Sequence, residues 1–486
     1  MQPLKTLLNS SFARSVLALV GGTAMAQALN VLALPLLTRL YSPADFGVLA
    51  VFVALFGMIS IVACFRYEIA IPLPERDEIA ANLLALSVLC LGGVSLLAIV
   101  LVTLFSAEIA TLMQAPLLAQ YLWLLPIAIM ATSGYGIFQF WATRKKAFTR
   151  IARTRIEQAL CGVSTQATLG WYGFGALGLI VGHIVTNGAG VLGLAKRAYN
   201  DDKAVLAHVS YAQIKSVACE YSRFPKYSAC EALANSAGIQ IPIILIASLA
   251  THAEAGYLML AMRVMQVPMS LIGASISQVY FSRAVEEHRN GTLGDFTANV
   301  IGKLAKVGIG PMIFIGIVSP TVFGFVFGLH WARAGELVAW MTPWFVLQFL
   351  AAPISMSLHV TANQRTALVL TLFGLMLRVS LLYVGAVQFN GYASEGYALS
   401  GFIFYWVCLG VFCRISQVSV RRLYDELKAA VPIIVVAIVL ALCLKYAALL
   451  WFLVDGGHFS IAQTVISIFN NFEKYLLSFY QLLLAL

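Results

Sequence analysis

Apolar runs of about twenty residues recur from one end of this chain to the other, each separated from the next by a short polar cluster. A run of that length is enough to cross a hydrocarbon core of roughly 30 Å as a helix. The pattern predicts helices near 12–40, 44–66, 79–106, 117–142, 156–171, 174–197, 229–250, 254–281, 297–327, 335–360, 365–388, 395–415, 430–453 and 460–485. Strand-type alternation over about ten residues does not recur, which argues against a β-barrel. The first run opens like a signal peptide, with a small-x-small site at Ala24–Ala26, but it continues to Leu37 and reads as an uncleaved first helix. The last run carries Asn470, Asn471, Glu473 and Lys474 mid-way, so it either spans or lies flat at the interface.

Polar turns between the runs carry a repeat. The turn SPADFG (42–47) aligns with THAEAG (251–256): Ser42 with Thr251, Asp45 with Glu254, Gly47 with Gly256. Both place a hydroxyl three residues before an acid, a helix-capping pattern. At a similar offset YLWLLPIAIM (121–130) resembles LVAWMTPWFV (337–346), with Pro126 opposite Pro343. Two parallel six-helix halves follow, an arrangement in which transporters place their substrate site between the halves. The expected organisation is an N-lobe over 1–200, a linker over 201–228, a C-lobe over 229–416, and a loop with extra helices over 417–486.

Basic residues set an orientation. With the N-terminus in the cytoplasm, the inside loops receive TRKKAFTRIARTR (143–155), the 195–226 segment, 282–289 and RRLYDELK (421–428), and the outside loops only Arg39 and Arg333. That is a positive-inside distribution. The net charge of +10 is therefore mostly a topology signal, and no nucleic-acid partner is expected.

Composition agrees: 60% of the 486 residues are hydrophobic, 11% are charged, and mean hydropathy is +0.87. Soluble domains carry about 25% charged residues. The chain reads as an all-α polytopic membrane protein with twelve to fourteen spanning helices. Eight cysteines lie scattered without a C-x-x-C pair, so neither a disulfide framework nor a zinc site is suggested.

Polar residues inside the runs are the candidate chemistry. Helix one carries Gln27 and Asn30 before Pro35; helix seven carries Asn235 and Gln240 before Pro242. These stripes either hold helices together by hydrogen bonds or line a cavity between bendable helices. Arg263, in GYLMLAMRVMQVPMSLIG, lies roughly 13 Å from the outer end of helix eight at 1.5 Å per residue. A charge at that depth is a functional-site hypothesis. Arg378 is similarly deep, whereas Lys445 lies nearer an end and is expected to snorkel. Arg66 and Glu68, in FRYEIAIPLPERDE, sit at the inner mouth; Glu68 and Glu231 are the candidates for a coupling ion. Buried arginines and scarce deep acids favour an anionic substrate, phosphate above all.

Enzyme motifs fail their context tests. GFGALG (173–178) and GAGVLG (188–193) match G-x-G-x-x-G but follow no strand, and no Walker A sequence is present. His183 is expected to be a helix-contact residue. No nucleophile–base pair, metal set or cofactor motif stands out, so an enzyme is not expected.

The segments LTRLYSPADFGVLAVF, RYEIAIPLP, FWATRKKAFTRIARTR, YSRFPKYS, MRVMQVPMSLIGASISQVYFSRA and FGLHWARAG together resemble the bacterial oligosaccharide flippases. These are the O-antigen and capsular repeat-unit translocases of the multidrug/oligosaccharidyl-lipid/polysaccharide (MOP) superfamily. The resemblance covers about 10–425. It implies two pseudo-symmetric six-helix lobes in a V, plus one or two extra C-terminal helices, in a bacterial inner membrane. It implies as substrate an undecaprenyl-pyrophosphate-linked oligosaccharide, for O-antigen, capsule or exopolysaccharide synthesis. Membrane lipid is an expected partner, a polysaccharide polymerase and a chain-length regulator are prospective ones, and a monomer is the default with the oligomeric state left open. Related lipid II flippases use a helix-eight arginine against pyrophosphate, and Arg263 occupies a similar place. Their first-helix arginines have no counterpart here, where Gln27 and Asn30 stand. Rival readings are a cation-coupled multidrug exporter of the same superfamily, which needs a deep carboxylate, and a membrane polymerase or ligase, which is expected to carry a large periplasmic loop.

Overall fold

The computed structural model describes residues 11–113, 115–269, 274–361, 363–389 and 391–454. Nearly all of them are helical, and the chain groups into two compact units, Met1–Gly256 and Tyr257–Leu486.

The first unit contains α1 (Ser11–Leu32), α2 (Leu34–Leu40), α3 (Pro43–Val62), α4 (Asp77–Leu112), α5 (Leu124–Arg144), α6 (Phe148–Trp171), α7 (Ala176–Gly188), α8 (Val191–Asp201), α9 (Tyr211–Glu220) and α10 (Ala229–Leu249). Here α1 packs on α6, α6 on α7, α4 on α5, and α10 on α3. Helix α10, expected to begin the second lobe, is thus grouped by its contacts with the first unit. The helix α11 (His252–Pro268) starts at the boundary. The second unit continues with α12 (Ala274–Arg289), α13 (Leu293–Leu304), α14 (Gly310–Val326), α15 (Ala332–Ile354), α16 (Gln364–Val387), α17 (Ala393–Ile415), α18 (Val420–Lys428) and α19 (Val431–Val454). Its hairpins α14–α15 and α16–α17 repeat α4–α5 and α6–α7, and each of α5 and α15 is preceded by a 3-10 turn, Pro116–Tyr121 and Leu329–Trp331. Tyr280, Ile301, Met312, Phe349, Ile354 and Phe412 fill the second unit's core.

Large apolar side chains are exposed as well as buried. Leu89, Leu96, Leu97 and Leu104 are exposed on α4, and Leu368, Val369 and Met376 on α16. Such continuous apolar faces suit lipid and not water, and helices satisfy their own backbone groups there. This is a multi-pass membrane protein. Ten helices among the described residues are long and apolar enough to span, or eleven if Val420–Lys428 and Val431–Ala447, bent by 42°, are one. Two expected spans are not among them. Helix α6 carries Arg150, Arg153, Arg155 and Glu157 in its first ten residues, and α11 stops at Pro268. The continuation of helix eight through 270–273 and the run at 460–485 lie outside the described residues.

The repeat has a physical basis. Ser42 and Asp45 form a reciprocal capping box at the start of α3, and the amide of Glu254 bonds the Thr251 hydroxyl (3.2 Å) at the start of α11. The two turns touch. A Cβ on Gly256 would lie 2.0 Å from the Pro43 carbonyl and 2.9 Å from the Gly47 amide nitrogen. Only glycine permits that approach.

Candidate functional site

Proline breaks the first helix. Pro35 has no amide to offer the preceding turn, and α1 gives way to α2 at Ala33. One side of α1 packs closely, with Gly22 against Ala152 of α6. Thr23 and Gln27 are exposed, and Asn30 is half-buried. On α10, Gln240 lies over Gly57 of α3, 2.7 Å from where a Cβ would stand there, so it serves helix packing. Asn235 is exposed, while Ser236, Gly238 and Pro242 are buried. Polar groups exposed mid-span lose hydrogen bonds if they face hydrocarbon. Gln27 and Asn235 are accessible, whereas Gln240 is half-buried against α3.

In the second unit Arg263 is the twelfth residue of α11, about 16 Å along it. It is half-buried, and among the described residues no carboxylate pairs with it and no hydrogen bond reaches it. Arg378, on α16, differs: its guanidinium lies 4.9 Å from the ring centre of Phe404 on α17. That is a cation–π contact inside a helix hairpin.

At the end of α3 the backbone is strained. Phe65 and Arg66 are consecutive non-glycine residues with φ of 49° and 64°. Such conformations persist where surrounding structure enforces them. Here they turn the chain into a short helix, Tyr67–Ala70, whose Tyr67 hydroxyl bonds the Ala218 carbonyl (3.2 Å). Arg66 Nε and Glu68 Oε2 are buried without a hydrogen-bond partner. Burial pushes the Glu68 carboxyl above its ordinary value, against the opposing pull of a backbone hydrogen bond and of Arg66. Glu231 is exposed in the first turn of α10. The structure brings Arg66 and Glu68 together; Gln27, Asn30, Asn235, Gln240 and Glu231 sit on other helices of the same unit.

Sequence reasoning missed the polar network at this end. Asp77 holds Arg144 (2.7 Å) and Lys145 (2.8 Å), and Lys145 also reaches Asp202 (2.9 Å). Asn82, fully buried, bonds Gln213 Oε1 (2.8 Å) and accepts from the Ser210 amide (3.2 Å). Those bonds dock α9, part of the expected linker, onto α4. Asn82 in an apolar run was the available signal. Elsewhere Arg333, read as one of two basic residues in the outside loops, pairs with Glu336 and with buried Glu395. Lys445 does not snorkel; it is 8% exposed. His183 is a helix-contact residue, edge-on to Phe56 at 5.9 Å. The G-x-G-x-x-G matches are turns and packing: Gly175 and Gly190 have positive φ, and Gly178 sits against Tyr41.

The fold is that of the MOP-superfamily transporters. An inward-facing multidrug resistance MATE family transporter of that superfamily superposes with a TM-score of 0.63 at 16% identity, over 80% of this chain and 95% of that one. The lipid II flippase MurJ, in an inward closed conformation, superposes with a TM-score of 0.65 at 15% identity, over 94% and 99%. The chain belongs to the polysaccharide biosynthesis protein family, whose family model matches residues 36–336. No curated protein matches its sequence.

Proposed function

We propose that this protein flips undecaprenyl-pyrophosphate-linked oligosaccharide repeat units from the cytoplasmic to the periplasmic leaflet by alternating access, without covalent chemistry. Membership of a polysaccharide biosynthesis family supports a glycan cargo, and a transporter fold supports movement over synthesis. Sugar hydroxyls cannot cross hydrocarbon without losing hydrogen bonds; accessible Gln27 and Asn235 offer replacements. The observation that carries the substrate class is Arg263, a mid-helix guanidinium with no described carboxylate against it. Its fork of donors fits a diphosphate and its charge does not titrate away. The membrane is a bacterial inner membrane and the basic end faces the cytoplasm, where such lipids are assembled.

The test uses liposomes carrying fluorescent undecaprenyl-pyrophosphate oligosaccharide. Wild type is expected to equilibrate the lipid between leaflets, Arg263→Ala to slow it at least tenfold, and Arg263→Lys to retain part of the rate. Normal transfer by Arg263→Ala removes Arg263 from the site. No transfer by wild type removes the substrate class, and cationic drugs become the next cargo to assay.

A further inference from the structure

A cavity of about 420 Å³ opens between the end of α5, the start of α6 and the end of α8. Its size is within the range of small-molecule sites, roughly 300–1,000 Å³. Four basic and two acidic side chains line it, giving a net charge of +2: Lys145, Lys146, Arg150 and Arg197 against Asp201 and Asp202. Both acids are already engaged. Asp201 pairs with Arg150 (2.8 Å), and Asp202 with Lys145 (2.9 Å) and the Trp141 indole N–H (2.9 Å). No described carboxylate pairs with Lys146 or Arg197, so the uncompensated charge rests on these two.

Two further features give the cavity a direction. Lys146 has a φ of 54°, a left-handed conformation that a non-glycine residue holds only under constraint. The constraint sets a lysine on the cavity wall where glycine would be the relaxed choice. The cavity also begins at the last turn of a spanning helix, since Lys145 and Lys146 directly follow Leu124–Arg144. The end of a helix that spans the hydrocarbon core meets the headgroups. Phe138, Trp141 and Phe148 supply apolar wall, and Leu192 and Tyr199 are exposed on adjoining α8.

We propose that this cavity binds the phosphate of an anionic phospholipid headgroup, through Lys146 and Arg197. Basic pockets between helices at the cytoplasmic side suit that chemistry, each cation adding about fivefold at an anionic surface. The site is separate from Arg263 and does not depend on what the protein flips.

Lipid binding to the purified protein, followed by native mass spectrometry with phosphatidylglycerol and phosphatidylcholine, tests this. Wild type is expected to prefer phosphatidylglycerol. Lys146→Gln with Arg197→Gln is expected to weaken that binding about 30-fold, and each single change about fivefold. A control that removes equal charge outside the cavity, Lys196→Gln with Lys215→Gln, is expected to leave it within about twofold. Equal binding of the two lipids, equal loss in the control, or no loss in the cavity variants overturns the proposal. So does full displacement of the lipid by millimolar inorganic phosphate, which identifies a soluble-phosphate site instead.

Discussion

Glu68 carries one carboxylate oxygen into a place that neither solvent nor a donor reaches. Its folded pKa lies above the ordinary 4.5, so between those two values the folded state binds the proton that the unfolded state has released. Stability contributed by this group therefore falls as pH rises through that window, and the penalty persists above it. Glu68→Gln is expected to raise the melting temperature at neutral pH and to flatten its decline above pH 4.5, read by thermal unfolding in detergent. A melting curve with unchanged pH dependence contradicts that. The two deep arginines separate in the same assay. Arg378→Ala removes a desolvated cation–π contact, expected to cost about 2 kcal/mol, while Arg263→Ala leaves the melting temperature near wild type. Both arginines and Glu68 were legible because a charge stands out in an apolar run. The contact made by Arg378 was not. Phe404 lies far along the chain from Arg378, and nothing local announces the contact. Lys445 was misread for the same reason, since depth counted in residues does not say which neighbouring helix covers a side chain.

Helices follow from local periodicity, and the predicted runs correspond well to the described ones. The connectors were harder. The linker over 201–228 reads as a loop because it is polar, yet it folds as helical segments docked through Asn82. Asn82→Ala leaves the Ser210 amide and Gln213 amide group short of a partner, a loss of roughly 1–3 kcal/mol. Faster hydrogen exchange over 210–220, with little change in α6–α7, is the expected reading; uniform protection means that α9 is held by other contacts. The capping turns were legible as a repeat, but their mutual contact was not, because it depends on backbone approach. Gly256→Ala places a Cβ against the Pro43 carbonyl, and a backbone must move. Overpacking of this kind costs about 1–3 kcal/mol, measurable as a lower melting temperature; Ala253→Gly in the same turn serves as the comparison.

Orientation belongs to the molecule as a whole. The positive-inside distribution rests on counting charges across many loops, and it needs no contact to be known. Cys219 is exposed on α9 at the basic end, and Ala44 is exposed at the other end of α3. In a background lacking the other cysteines, a membrane-impermeant maleimide is expected to label Cys219 in inverted vesicles only, and Ala44→Cys from the outside of intact spheroplasts only. The opposite pattern inverts the topology and with it the direction of transport. A count of apolar residues reads 156–171 as a span, yet the helix that contains it is not apolar along its length. Helix α6 has length but carries Arg150, Arg153, Arg155 and Glu157, and it packs along α1 and α7. During synthesis the membrane-insertion machinery meets this segment before Ala176–Gly188 has emerged, and its own partition into lipid is poor. Its insertion is expected to be coupled to that of α7 as a hairpin, so a chain ending at Trp171 is expected to leave α6 outside the bilayer and one ending at Gly188 to bring it in.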